Sequence, residues 1–479
     1  MRYSDYDRYP DMPSNYREES NIQDPLEGDS FADIEENPFV KVSQQPASSF
    51  SIDADGASYA YMRRCLNAGR KPAANSIRTE EFLNYFTFDY PSPTGEETLA
   101  LNAEIGDCPW AKGHKLLRIG LKGKPVSDAD MPKANFILLV DTSGSMAGAD
   151  RIDLLKSGLC NMIDAMRPDD RISIITYSGK VSKVLESTLV KDAEAIKRAI
   201  MSLIASGSTA GGEAMKMAYD EAVENYIEGG NNRIIMCTDG DFNVGVTSTE
   251  ALVEMVESYL DKGIYLSIMG FGSGNYQDHR MEELSNHGNG TYTYIDCEDE
   301  MMKVFVHERS RFFSVANDVK CQVVFTENVD SYRLIGYENR TMSSEDFDND
   351  KKDAGEIGAG QTVTALYELI PSQTITAHAN AAFINVRYKR TLGEDSYLLT
   401  LNTGIPTIED FKPSSEFGFA AGIAAYALAL RDSKYKGSAS LSMATDLVKP
   451  ASAPGKDVDP LGLRSQLLEL IEKAGGLQN

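Results

Sequence analysis

Asp141, Ser143 and Ser145 fall at alternate positions directly after the apolar run Ile137-Leu138-Leu139-Val140. A second apolar run, 234–238, also ends on an aspartate, Asp239, followed by Gly240. Between them, residues 206–212 form a stretch of Ser, Gly, Thr and Ala that contains Thr209. All five side chains offer hard oxygen. Two carboxylates with three hydroxyls suit a small divalent cation, Mg2+ above all, held octahedrally at about 2.0–2.1 Å. An ion with so few carboxylates around it stays electrophilic and can accept one more from outside. The Asp-x-Ser-x-Ser spacing lets a turning loop aim three side chains inward, and Gly144 permits the turn. No imidazole or thiolate belongs to the set, so zinc and copper fit poorly. Taken alone, each aspartate has another reading as a helix cap, with the serines filling turns. The three pieces in order along the chain point to a metal.

These residues need elements that bring their loops together. The central region supplies a rhythm of strand 136–141, helix 151–166, strand 171–177, short strand 183–185, helix 193–203, helix 212–226, strand 233–239, helix 249–261, strand 264–270, helix 278–286, strand 292–295 and helix 298–312. Apolar strands alternating with amphipathic helices predict an α/β fold, a doubly wound and mostly parallel sheet with helices on both faces. In such sheets ligands bind beyond the carboxyl ends of strands, where the strand order reverses. If the strands ending at Asp141 and Asp239 flank that point, Asp141, Ser143, Ser145, Thr209 and Asp239 converge.

The pattern Asp141-x-Ser143-x-Ser145, then Thr209, then Thr238-Asp239-Gly240 resembles the metal-ion-dependent adhesion site of von Willebrand factor type A domains. The resemblance covers about 134–313. It implies that Ser143, Ser145 and Thr209 coordinate directly, that Asp141 and Asp239 act through water, and that an Asp or Glu of a protein partner fills the open position. Mn2+ and Ca2+ are the alternative ions. Flanking motifs extend the likeness: Asn37-Pro38-Phe39, Ser51-Ile52-Asp53-Ala54-Asp55, and Tyr332-Arg333-Leu334-Ile335-Gly336-Tyr337-Glu338-Asn339-Arg340. They resemble bacterial von Willebrand A proteins of the calcium-activated-chloride-channel-like type. The apolar stretch 417–431 and the segment 459–463 are similar to the uncharacterised tail domain of those proteins. Such relatives often begin with a lipoprotein signal, which implies a cell-envelope location, periplasmic or surface-associated. Here Met1-Arg2-Tyr3-Ser4-Asp5 leads into acidic sequence without a visible signal, so a cytoplasmic location is the alternative.

Around this centre the chain divides into five stretches. Residues 1–37 read as a disordered acidic leader. Residues 38–133 hold helices near 59–66 and 78–85 and strands near 98–105 and 115–121, contributing to a β-sandwich. The von Willebrand A-like domain spans 134–313. Residues 314–412 predict antiparallel strands at 318–326, 332–337, 361–369, 381–388 and 396–401, with 346–360 as an acidic, Gly-bearing loop. Residues 413–479 are helical, ending with a helix over 461–474. The segment before the central domain and the strands after it are expected to pair into one flanking antiparallel sandwich.

The 479 residues carry 72 acidic and 47 basic side chains, a net charge of −25. That sign argues against nucleic acid and anionic membrane surfaces as partners. No apolar run reaches the roughly 18–20 residues of a membrane span, so no transmembrane segment is expected. Six scattered cysteines without a C-x-x-C pair suggest neither a zinc ribbon nor a disulfide framework. Asp346-Phe347-Asp348-Asn349-Asp350 resembles the start of a calcium loop, but Lys351 and Ile357 replace the required glycine and glutamate. The run 270–274 lacks the third glycine of a dinucleotide fingerprint, and no H-E-x-x-H, Walker or G-x-S-x-G motif is present. Asp241 reads as a turn residue or as part of the metal rim. The expectation is a non-enzymatic, metal-dependent binding or scaffold protein. One alternative is an assembly cofactor working with a chaperone-type ATPase. Another is a metal-assisted hydrolase, for which spacing marks no His, Lys or Glu as general base.

Overall fold

The computed structural model describes residues 31, 33–52, 55–207, 212–240, 249–260, 262–272, 278–372, 379–404 and 413–477. Its centre is a six-stranded sheet in the order Tyr292–Ile295, Ile264–Phe271, Asn231–Thr238, Ala134–Asp141, Arg171–Tyr177, Val181–Leu189. Numbered along this domain the order is 6-5-4-1-2-3, the doubly wound arrangement whose reversal lies between the first and fourth strands. Five strands are parallel. Val181–Leu189 runs antiparallel to Arg171–Tyr177 as a hairpin partner, longer than the 183–185 expected. Every residue of Ala134–Asp141 and of Asn231–Thr238 is buried, because helices cover both faces. The period of two then sorts the side chains. Ile137, Leu139, Ile234 and Met236 enter one core with the helices Gly212–Glu224 and Thr249–Leu260. Phe136, Leu138, Val140, Ile235 and Cys237 enter the other with Ile152–Ala165 and Ala193–Met201.

Two antiparallel sheets flank this domain, and each mixes strands from before and after it. One has the order Val40–Lys41, Val329–Ile335, Thr362–Pro371, Lys115–Gly123, Leu99–Asp107. The other has the order Thr341–Met342, Ala47–Ser51, Ser314–Phe325, Asn380–Lys389, Tyr397–Gly404. Alternate residues of both, such as Leu117, Ile119, Val323, Tyr367 and Ile384, share one core. The central domain is thus an insertion in a β-sandwich, entered after Lys115–Gly123 and left through Ser314–Phe325.

Packing crosses the linear stretches in other places. The C-terminal helices Ser415–Leu430, Leu441–Val448 and Leu463–Gly476 share a core with Tyr59, Met62, Phe82, Phe86 and Phe88 of the N-terminal stretch. Helix Ala57–Asn67 also sends Ala57, Ala60, Tyr61 and Cys65 into a core of the central sheet, so both its sides are buried. None of the described helices is long and apolar enough to cross a membrane. All six cysteines are free thiols.

Three local expectations change. The end of the leader is held: the Phe31 ring meets Tyr61 edge-on at 4.8 Å, and Asn37 donates to the carbonyls of Leu334 and Gly336 at 3.3 and 2.8 Å. Residues 1–30 and 32 lie outside the described residues. The expected loop 346–360 contains helix Ser344–Asp348, capped by Ser343 and anchored by buried Phe347, and strand Gly355–Gly358 on Ser314–Phe325. The single helix expected over 298–312 is an α-turn Glu298–Met302, a π-turn Lys303–His307 and a 3-10 turn Arg309–Phe312.

Candidate metal centre

Register sets the centre. Asp141 pairs across to Tyr177, and Val140 pairs to Cys237, which brings Thr238 level with Asp141 and Asp239 one residue beyond. The chain leaves Asp141 with Thr142 N donating to Tyr177 O at 2.9 Å, then turns through Gly144–Met146. Two bonds seat the stretch before Thr209 against this turn. Ser206 N donates to Thr142 O at 2.7 Å, and Gly144 N donates to Gly207 O at 3.0 Å. Thr209 itself lies outside the described residues, as does Asp241.

The Asp141 side chain is fully buried. Its Oδ1 accepts from Ser143 N at 2.7 Å and its Oδ2 accepts from Thr238 Oγ1 at 3.3 Å. Gly240 N in turn donates to Thr238 Oγ1 at 3.2 Å. The Ser143 and Ser145 hydroxyls lie 2.9 Å apart. Asp239 is buried too. Burial pushes the Asp141 carboxyl up to about 6, the Asp239 carboxylate adds to the rise, and the bonds from Ser143 and Thr238 oppose it. A buried carboxylate with a second one beside it gains from a cation between them. The hard-oxygen donor set fits a small divalent ion. The helix-cap alternative is not what Asp141 does. Helix Ile152–Ala165 starts after Arg151 with no side-chain cap, and among the described residues Asp141 bonds within its own turn and to Thr238.

The structure therefore brings Asp141, Ser143 and Ser145 together, with Asp239 acting on Asp141 through space. Sequence reasoning missed two contributors. Thr238, read only as part of a motif, links the two strand ends by its hydroxyl. Tyr177 ends the neighbouring strand, and burial beside the Asp141 carboxylate holds its phenol well above the usual range. The strand-end position of Tyr177 was visible, but its pairing with Asp141 is a matter of register. Elsewhere the carboxylates of the calcium-loop-like stretch are engaged otherwise: Asp348 pairs with Arg387 at 3.1 Å, and Asp350 accepts from Ser396 Oγ at 2.6 Å. His114 and His287 pair with Glu368 and Glu257 at 2.6 and 2.8 Å. Among the described residues no cluster of three or more His, Cys, Asp or Glu could hold a metal, which leaves the hydroxyl-rich centre as the candidate.

Comparison with known proteins matches three family models in series. Residues 25–118 match "von Willebrand factor", 136–241 match "von Willebrand factor type A domain", and 310–477 match "Uncharacterized protein YfbK, C-terminal". The uncharacterized protein YfbK of Escherichia coli is 36% identical over 473 residues, covering 93% of this chain and 81% of that protein. The uncharacterized protein sll0103 of Synechocystis is 29% identical over 208 residues, covering 43% of this chain and 48% of that protein. Among solved structures, a von Willebrand factor type A protein from Catenulispora acidiphila aligns at a TM-score of 0.44 with 14% identity, covering 78% of this chain and 89% of that one. With a von Willebrand factor segment, a type A domain and a YfbK C-terminal domain in that order, the chain belongs to the YfbK family of von Willebrand factor type A domain proteins.

Proposed function

We propose that this chain is a non-enzymatic protein-binding protein that captures a carboxylate of its partner in a divalent-metal-dependent way. Asp141, Ser143, Ser145, Thr209 and Asp239 would hold the ion, Mg2+ first and Mn2+ or Ca2+ as alternatives. The observation that carries this reading is the fully buried Asp141 beside Asp239 and the Ser143–Ser145 hydroxyl pair, at the switch point of a doubly wound sheet. Protein binding is the typical role of von Willebrand factor type A domains, one of which matches 136–241. A bound ion would supply an electrophilic position for an incoming Asp or Glu. The chain's own part is to hold the serine hydroxyls in one turn, through the Asp141 bond to Ser143 N, and to keep water from the carboxylates by burial. Asp239 raises the Asp141 carboxyl, and the neighbouring Tyr177 phenol, held well above its usual range, is a poor general base.

Titration calorimetry with Mg2+ and Mn2+ tests the reading. Wild type is expected to take up one ion. Asp141→Ala is expected to bind at least about 100-fold more weakly, with its circular dichroism unchanged. Absence of uptake of either ion by wild type would overturn it.

A further inference from the structure

The two most exposed large apolar side chains among the described residues stand on one rim of the candidate centre. Ile204 is 74% exposed and Met201 60%. Single exposed aliphatics are ordinary on a protein surface, but the two most exposed ones three residues apart in the segment that leads into a site are not. Topology places them on the site face. Strand Val181–Leu189 runs back from the carboxyl end of Arg171–Tyr177, so helix Ala193–Met201 climbs again and ends on that same side of the sheet. Ile196 and Ile200 bury its inner face. Ile204 follows in the connection that Ser206 and Gly207 tie to Thr142 and Gly144. Beyond Gly207 stands the turn Ser178 to Lys180: a Cβ added at Gly207 would meet Gly179 N at 3.4 Å and Ser178 Oγ at 3.5 Å. Lys180 is exposed and makes no salt bridge among the described residues. In a chain of net charge −25, an unpaired cation at this rim complements an acidic ligand.

We propose that Met201, Ile204 and Lys180 form a specificity shelf for an extended acidic segment of a partner protein, in which an aliphatic residue flanks the captured Asp or Glu. The aliphatic side chain lies on Met201 and Ile204 while the carboxylate occupies the centre, and Lys180 adds a positive charge at the rim that favours the incoming carboxylate. The shelf rests on the metal-dependent reading of the centre and adds to it what sits next to the carboxylate. Covering one aliphatic side chain on this pair is worth about tenfold in Kd.

The test uses the full chain and four fluorescent peptides with a central Asp or Asn flanked on both sides by Leu or by Ser. Anisotropy is read in Mg2+ and in EDTA. Wild type is expected to bind the Leu-flanked Asp peptide about tenfold tighter than the Ser-flanked one. The double variant Met201→Ser, Ile204→Ser is expected to erase that ratio and leave the Ser-flanked affinity and its Mg2+ dependence unchanged. Lys180→Glu is expected to weaken both Asp peptides. A Leu preference that persists in the double variant overturns the shelf, as does failure of all four peptides to bind below about 1 mM. Indifference to EDTA, or equal binding of Asp and Asn peptides, overturns the metal-dependent reading instead, and a Leu preference that still follows Met201 and Ile204 supports the shelf.

Discussion

Thr238 joins the two strand ends of the centre through a single hydroxyl. It donates to Asp141 Oδ2 and accepts from Gly240 N, so it orients a carboxylate on one side and the turn after Asp239 on the other. A group that orients a metal-binding carboxylate commonly affects affinity by about 10–100-fold when removed. Thr238→Val keeps the shape and deletes both bonds. It is expected to weaken Mn2+ uptake by that factor in calorimetry, while Thr238→Ser restores it. Equal affinities in all three proteins would show that the hydroxyl orients nothing. At this scale the sequence was informative about donor type. Asp141, Ser143, Ser145 and Asp239 are hard donors at apolar strand ends, and that is legible without coordinates. Thr238 and Tyr177 were not, because their roles depend on which strand lies beside Asp141 and in what register.

At the level of elements, helix Ala57–Asn67 ties together parts that lie far apart in sequence. Arg63 is buried and bonded to both carboxylate oxygens of Asp296, to Glu300 at 2.7 Å and to the Tyr85 hydroxyl at 2.5 Å. Its neighbour Arg64 reaches Asp150 at 2.8 Å, the Gly272 carbonyl at 2.9 Å and the Tyr294 hydroxyl at 2.8 Å. One helix thus holds the last turns of the central domain and the loop that follows the serine pair. Removing one partner of a buried ion pair strands the other charges and costs about 3–5 kcal/mol. Arg63→Met is expected to lose that much stability in urea titration, since Asp296 and Glu300 stay buried with Lys303 as the cation left within reach of Glu300 among the described residues. A loss below about 1 kcal/mol would mean the pair contributes little here. Strand and helix positions in the central domain were legible because strands buried on both faces and amphipathic helices have different periods. The destination of helix Ala57–Asn67 was not. Tyr59, Met62 and Leu66 face one core and Tyr61 and Cys65 another, so its apolar residues ring the helix and point to no single face.

For the whole molecule, the question is how an inserted domain is held in the sandwich that interrupts it. Sequence showed strands on both sides of the insertion and so a shared sandwich, but not the junction, where residues far apart in sequence meet, such as Phe136 with Phe312 and Asn231 with the Phe312 carbonyl. Glu356 stands at that junction on strand Gly355–Gly358. Its Oε1 is buried without a hydrogen-bond partner among the described residues. Burial, with Asp353 and Asp318 close by, holds its carboxyl well above the usual carboxylate range, and Arg233 and Arg340 offset only part of this. Arg233 belongs to the central sheet, where it donates to Ser267 Oγ at 2.8 Å and lies over the Tyr265 and Phe312 rings. A carboxyl whose folded pKa exceeds its unfolded value binds its proton more tightly in the native state. The native state is therefore favoured at low pH, and stability falls as pH rises from the ordinary carboxylate range through the folded pKa. Glu356→Gln keeps the shape and removes the titration. Thermal melts are expected to show the variant close to wild type near about pH 5 and more stable than wild type near about pH 8. If the difference between the two proteins were the same at both pH values, Glu356 would not be the group that makes the junction weaken as pH rises, and Asp353, whose carboxyl burial also pushes up to about 6, would be the residue to substitute next.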